Sequence, residues 1–308
     1  MHRRAWIAAL AAVLPLFGAC APTVSRYATR SAAADSVVRE AISREREIQA
    51  ANIPSNTVGV LPLVVRTADT TYASLGYGVA ALIAGDLARS NRLVIVERLR
   101  LDAVMRELDL VRSGRVDTTT APRVGRIVGA RRIIVGDLDI RSNGALQLGS
   151  TVANASSGAV DAALSGNATV NQIFDAEKAM VLRLFEALGV TLTPAERRAI
   201  EPRPTQSLAA LVAFSNGVRA ESVRDFDAAL MHYQNAARLD PGFTEAGARA
   251  TTIQGGPVAG PDVTGVARVL SLSNDLVNRP TPVLFGSGVD APLTRQQLIT
   301  ITINIRTP

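Results

Sequence analysis

The chain has 308 residues, with 33 basic and 27 acidic side chains, which is enough for about two domains. Hydrophobic residues make up 47% of it but aromatics only 4%, so its cores must rest on Ala, Val, Leu and Ile. The net charge of +6 does not point to nucleic acid, because the arginines are dispersed and few aromatics accompany them.

Met1 to Cys20 has a charged start at Arg3 and Arg4, an apolar run from Ala5 to Phe17, and small residues Gly18-Ala19 before Cys20. That is the layout of a secretory signal, too short for a membrane span. Cys20 is the sole cysteine, which excludes an internal disulfide. Leu16-Phe17-Gly18-Ala19-Cys20 resembles a bacterial lipobox, with Phe17 where lipoboxes usually carry Leu. The resemblance implies that residues 1–20 are a lipoprotein signal peptide and that Cys20 is lipidated. Acyl chains at ~0.8 kcal/mol per buried CH₂ would hold the protein on a membrane without spanning it. With Ala21 after the cysteine, the resemblance implies the inner leaflet of the outer membrane, the protein facing the periplasm. Ala19-Cys20-Ala21 also satisfies the pattern for ordinary cleavage, and that alternative stays open.

Residues 21–57 read as a tether to Arg30 followed by a helix from Ser31 to Ala51. Val38, Ala41, Ile42 and Ile48 fall near one face of that helix. Glu40 and Arg44 stand at the i,i+4 spacing, and Pro54 breaks the pattern. A domain is then expected over residues 58–204. Val58 to Val65 has the valine-rich composition of a strand covered on both faces. Leu75 to Arg89 follows as a helix with Val79, Leu82, Ile83 and Leu87 on one stripe, and Arg92 to Val96 as a second strand, parallel to the first by the crossover rule. Leu101, Val104, Met105 and Leu108 mark the inner face of the next helix, and Ala121 to Ala130 makes a short one with Pro122 in its first turn. Arg131 to Ile140 is the third strand. Leu146 to Val170 reads as a hairpin turning at Ser156-Ser-Gly158. The helix Phe174 to Leu188 presents Met180, Val181, Leu184 and Phe185, and Thr193-Pro194 opens a closing helical turn.

Gly76-Tyr-Gly78 invites a phosphate-loop reading. A dinucleotide fingerprint needs its glycines directly after the strand, whereas here a loop intervenes. Close helix packing is the expected use of the pair, and no cofactor is expected.

Val58-Gly-Val-Leu-Pro62, Gly85-Asp86-Leu87-Ala88-Arg89-Ser90, Val96-Glu97-Arg98 with Leu101 and Val104, and Val128-Gly129-Ala130 before Ile134-Val135-Gly136 carry a family resemblance. Together they resemble the periplasmic domain of the curli-secretion lipoprotein family (CsgG) and its relatives, including the amino-terminal domain of TolB, over roughly Val58 to Pro204. The resemblance implies an α/β fold, a mixed sheet flanked by helices, with no enzyme activity, from lipoproteins that assemble in rings or complexes at the outer membrane. Channel-forming members insert membrane-spanning hairpins, each crossing needing ~9 to 11 residues. Only Arg141-Ser-Asn-Gly-Ala145 separates Ile140 from the next strand, so a pore built by this chain alone is not expected.

After the boundary, Ser207 to Ala250 holds two helical patterns broken at Val223-Arg-Asp-Phe226. Gly217, Phe226, Ala229, Tyr233, Ala236 and Pro241 resemble a single tetratricopeptide repeat, whose small residues let two helices approach while aromatics fill the seam. Ala213, Asn216 and Ala220 depart from its pattern. A lone repeat cannot bury both faces, so it must pack on the preceding domain, on the C-terminal segment or on another chain. His232, the only histidine after the leader, has no cysteine or second histidine to join in a metal site. Residues 255–308 begin with a Gly/Pro linker, and Leu298-Ile-Thr-Ile-Thr-Ile-Asn-Ile305 alternates as a strand does. The expected function is a non-enzymatic, lipid-anchored scaffold for an assembly or secretion complex, with protein partners, a homo-oligomer among the possibilities, and no nucleic acid. The alternative is an oligomeric curli-type export component.

Overall fold

A computed structural model describes residues 24–48, 52–110 and 118–255. Cys20, the leader and the strand pattern at Leu298–Ile305 lie outside the described residues. Helix α1 (Val24–Ser43) begins at Val24 rather than Ser31, so most of the expected tether is helical. Short helices are marginal alone and are held by tertiary packing, and Tyr27 finds a buried site against residues far along the chain.

The expected single strand from Val58 to Val65 is two, β1 (Thr57–Val60) and β2 (Val64–Thr67). Pro62 is the cause, since it has no N–H to give the ladder. Leu61 still donates to Ile134 O at 3.0 Å, but Leu63 N–H turns to Gly76 O at 3.1 Å. Pairing resumes from Val60 opposite Ile134 to Val64 opposite Asp137, with one extra residue on the proline side, as in a bulge.

Helix α2 (Leu75–Leu87), β3 (Val94–Ile95), α3 (Arg98–Glu107), α4 (Ala121–Val128) and β4 (Arg132–Ile140) follow. Then come the hairpin β5 (Ala145–Asn154) and β6 (Val160–Thr169), α5 (Ile173–Ala187) and α6 (Pro194–Ile200). The strands form one mixed sheet in the order β3-β1-β4-β5-β6, with β2 also on β4. β1 is parallel to β3 and β4, and β5 is antiparallel to β4 and β6. This mixed α/β sheet flanked by helices is the architecture that the family resemblance implies.

The period-two alternation of β4 splits the core. Ile133 and Val135 join a cluster with α1, α3 and α4, while Ile134, Leu138 and Ile140 join a larger one with α2 and α5. Beyond Val135 the first face is polar, and Asp137 and Asp139 pair with Arg66 of β2.

Three helices complete the described chain, α7 (Leu208–Ser222), α8 (Phe226–Leu239) and α9 (Thr244–Ile253), where two patterns were expected. The break between α8 and α9 is local chemistry. Asp240 accepts from Gly242 N at 2.9 Å and from Thr205 Oγ1 at 2.5 Å, and Pro241 cannot continue a helix. The larger apolar cluster runs on from the sheet through α2 into α7, α8 and α9.

Candidate interaction site at the helical hairpin

Ser207 and Asp225 cap α7 and α8 by accepting from Ala210 N at 3.2 Å and Ala228 N at 3.0 Å. These caps satisfy amides that the first helical turn leaves free. Gly217, Phe226, Ala229, Tyr233 and Ala236 are buried on the two helices. At Gly217 they approach closely: a Cβ there would lie 2.7 Å from Tyr233 Cδ1 and Cε1, so any side chain would push the ring away. Pro241 is exposed in the loop after α8. Phe214 packs between Tyr233 and Phe243, with ring centroids 5.5 and 4.8 Å away.

A buried carboxylate sits at the end of this seam. Glu221 Oε2 accepts from Tyr233 Oη at 2.5 Å, and its Oε1 accepts from Tyr27 Oη of α1 at 2.6 Å. The Tyr27 ring meets Phe226 edge-on at 5.3 Å. Arg249 of α9 stands 3.5 Å from Glu221 Oε2. Burial alone would raise the Glu221 pKa, but the Arg249 and Arg98 guanidiniums and the two phenol hydrogen bonds outweigh it, leaving the carboxyl below its ordinary value. Both tyrosines move the other way, first through burial and then through the Glu221 charge.

Two further ties surround it. Asp35 of α1 accepts from Arg106 of α3 and from Arg224, each at 2.6 Å, and Arg106 also donates to Ser222 O at 2.6 Å. Arg224 lies in the turn between α7 and α8 at φ 67°, an uncommon conformation for a side-chain-bearing residue. Arg98 bonds Asp102 at 3.2 Å and reaches Val218 O of α7 at 3.3 Å. Burial raises the Asp102 pKa despite that arginine.

Helix α2 closes the other side. A Cβ on Gly78 would lie 1.9 Å from Ser215 Oγ of α7, and one on Gly76 would lie 2.0 Å from Leu63 O. Both glycines are buried within α2, and their α-carbons face protein rather than an opening. Both serve close packing, the use expected of the pair.

The arrangement fixes the hairpin to the α/β layer through a charge network and an apolar seam. Among the described residues no group of His, Cys, Asp and Glu is placed to hold a metal ion, and no helix is long and apolar enough to cross a membrane. The i,i+4 spacing of Arg98 and Asp102 was a readable signal for one pair. Glu221, Tyr27 and Asp35 had none, because their partners lie far away in sequence, and the i,i+4 spacing of Arg249 and Glu245 signals only that local pair, not Glu221.

Residues 32–144 match the family model of the curli production assembly/transport component CsgG. The CsgG match begins in α1 and ends at the turn before β5, earlier at both ends than the span from Val58 to Pro204 expected from the motifs. The match takes in most of helix α1, which shares an apolar cluster with α3 and α4. Among solved structures, the LpoB C-terminal domain from Salmonella enterica is similar at 16% identity, covering 44% of this chain and 94% of that one, with a TM-score of 0.32. The LpoB C-terminal domain from Escherichia coli is similar at 17% identity, covering 38% and 84%, also with a TM-score of 0.32. No curated protein matches the chain.

Proposed function

We propose that the protein is a non-enzymatic lipoprotein of the outer membrane, facing the periplasm, that scaffolds an assembly or secretion complex. The match of residues 32–144 to the CsgG family model carries this reading, and the lipobox-like sequence ending at Cys20 supplies the anchor. In this reading the CsgG-like domain takes in α1 together with residues 58–204. Residues 207–250 form a tetratricopeptide-type hairpin in which Gly217, Phe226, Ala229, Tyr233 and Ala236 are the seam and Pro241 the stop. The docked hairpin carries Met231 and Leu239 exposed on α8, a surface suited to a protein partner. Capture of partners from solubilised envelopes tests the scaffold. A Met231→Asp chain that recovers the same proteins in the same amounts would remove α8 from the interface. Fractionation of Cys20→Ser tests the anchor: the variant should leave the membrane, and its retention there would sink the lipoprotein assignment.

A second reading, an oligomeric export component, has support in the transport role that the family description names. Against it, β4 and β5 are joined only by residues 141–144, too few for a membrane-crossing hairpin. Purified protein in a lipid bilayer should conduct ions under this reading and stay silent under the first.

A further inference from the structure

The lipid anchor proposed at Cys20 stands four residues before Val24, the first residue of α1. Four residues span at most about 14 Å when fully extended, so the seat of α1 decides where the rest of the protein can go. A helix held only by its own end would lengthen that tether, but α1 is built into the body along its length. Near its start the Tyr27 ring is 7% exposed, meets Phe226 edge-on and donates to Glu221, which also accepts from Tyr233. One turn on, Arg30 reaches Glu97, the residue before α3. Asp35 takes Arg106 and Arg224, and Val38 is buried in the cluster with α3 and α4. Releasing α1 would strip a buried carboxylate of a donor and open an apolar core, so the helix supplies no slack.

The same helix gives the body an axis. Its 20 residues make about 30 Å of helix, and different parts of the protein attach at its two ends. At the Val24 end lie Tyr27, Phe226 at the start of α8, and Glu97. Past the other end, Glu45 pairs with Arg123 of α4. One turn along α4, Arg126 donates to Ala155 O in the turn between β5 and β6. Ser156 to Ala159 of that turn are exposed, and they stand at the end of the molecule away from Val24.

We infer that the anchored protein lies against the lipid headgroups in one orientation, with the Tyr27–Phe226 end toward the bilayer and the β5–β6 turn away from it. This rests on the anchor reading above and adds orientation and reach to it. A compact body of roughly 220 residues is about 45 Å across, so with its tether the protein extends no more than about 60 Å from the bilayer. Helix α8 starts at Phe226, in the membrane-facing end. A partner that docks on its exposed Met231 must therefore itself come close to the membrane surface, because the tether cannot carry this protein out to it.

Energy transfer to acceptor-labelled headgroups, in vesicles of phosphatidylethanolamine and phosphatidylglycerol, tests this on the full acylated chain. Acylation blocks the thiol of Cys20, the sole cysteine, so Ala32→Cys on α1 and Ser157→Cys in the β5–β6 turn each offer one free thiol for a donor fluorophore. Both positions are exposed. With the length of α1 separating the two ends, transfer from position 32 should exceed transfer from position 157 by about 2-fold or more. A flexible Gly/Ser insert of about 30 residues between Ala21 and Pro22 should lower transfer from position 32 and bring the two values together. Equal transfer from the two donors without the insert would overturn the inference, as would stronger transfer from position 157. An insert that changes neither value would overturn it too, since the short link would then not set the orientation. Mass spectrometry of Cys20 separates the two readings. An unacylated cysteine removes the anchor and this inference with it, whereas an acylated chain with equal transfer overturns the orientation alone.

Discussion

Two glutamates, each 1% exposed, meet opposite fates in this protein. Glu221 has both oxygens taken by Tyr27 and Tyr233 and a guanidinium beside it, and it stays ionised. Glu177 on α5 has neither oxygen in a hydrogen bond. Its nearest cation, Lys178 Nζ, stands 3.6 Å away and gives its hydrogen bond to Asp86 instead. Burial first, and then the Asp86 charge, push Glu177 up to about 8. Depth is the same at both sites, so the supply of donors decides which carboxyl keeps its charge. The ionised one pins three parts of the chain together, and the protonated one stands beside the Asp86–Lys178 ion pair without a hydrogen bond of its own.

The comparison is broken most directly at Glu221. Glu221→Ala leaves Arg249 and Arg98 without that charge and two buried phenols without an acceptor, and should cost about 3 kcal/mol in urea unfolding. A loss below about 1 kcal/mol would show that the network contributes little. At Glu177 the effect runs with pH. The folded carboxyl holds its proton up to about 8 while the unfolded one releases it near the ordinary value of 4.5. Between those values the folded state binds more protons, so this group makes stability fall as pH rises from about 4.5 to about 8, with no further change above. Glu177→Gln should flatten that slope and be about 2 kcal/mol more stable than the parent at pH 9, with near equality at pH 4. Unfolding curves at the two pH values decide it.

Gly78→Ala asks whether the Glu221 network depends on how closely α7 approaches α2. It should cost about 1–2 kcal/mol through overpacking, and Ser215→Ala should recover part of that in the double variant. The smallest effect is expected away from both carboxyls. Thr193 and Glu196 form a reciprocal cap at the start of α6, and Thr193→Ala should lower stability by about 1 kcal/mol without altering the pH slope assigned to Glu177.

Much of the frame was legible in the chain. The run from Arg131 to Ile140 announced a strand, found at Arg132–Ile140, and Thr193-Pro194 announced a helix start, found at Pro194. Gly217 with Tyr233 announced two helices in close approach. Pro62 was equally visible, yet the run of valines around it masked the break, because composition signals a strand whether or not its ladder is continuous. The start of α1 was missed for a different reason: Val24 to Arg30 has weak helical preference alone, and Tyr27 acquires its site only when α7 and α8 are in place.

By itself the sequence determined the periodic elements, their order and the glycines at close contacts, because these follow from local backbone preference and from which faces must leave water. Only the tertiary structure decided that the hairpin docks on α1, α2 and α3, and that Glu221 is charged where Glu177 is not. Tyr27 and Glu221 stand 194 residues apart in sequence, and a carboxyl's charge depends on donors that folding brings within hydrogen-bond reach.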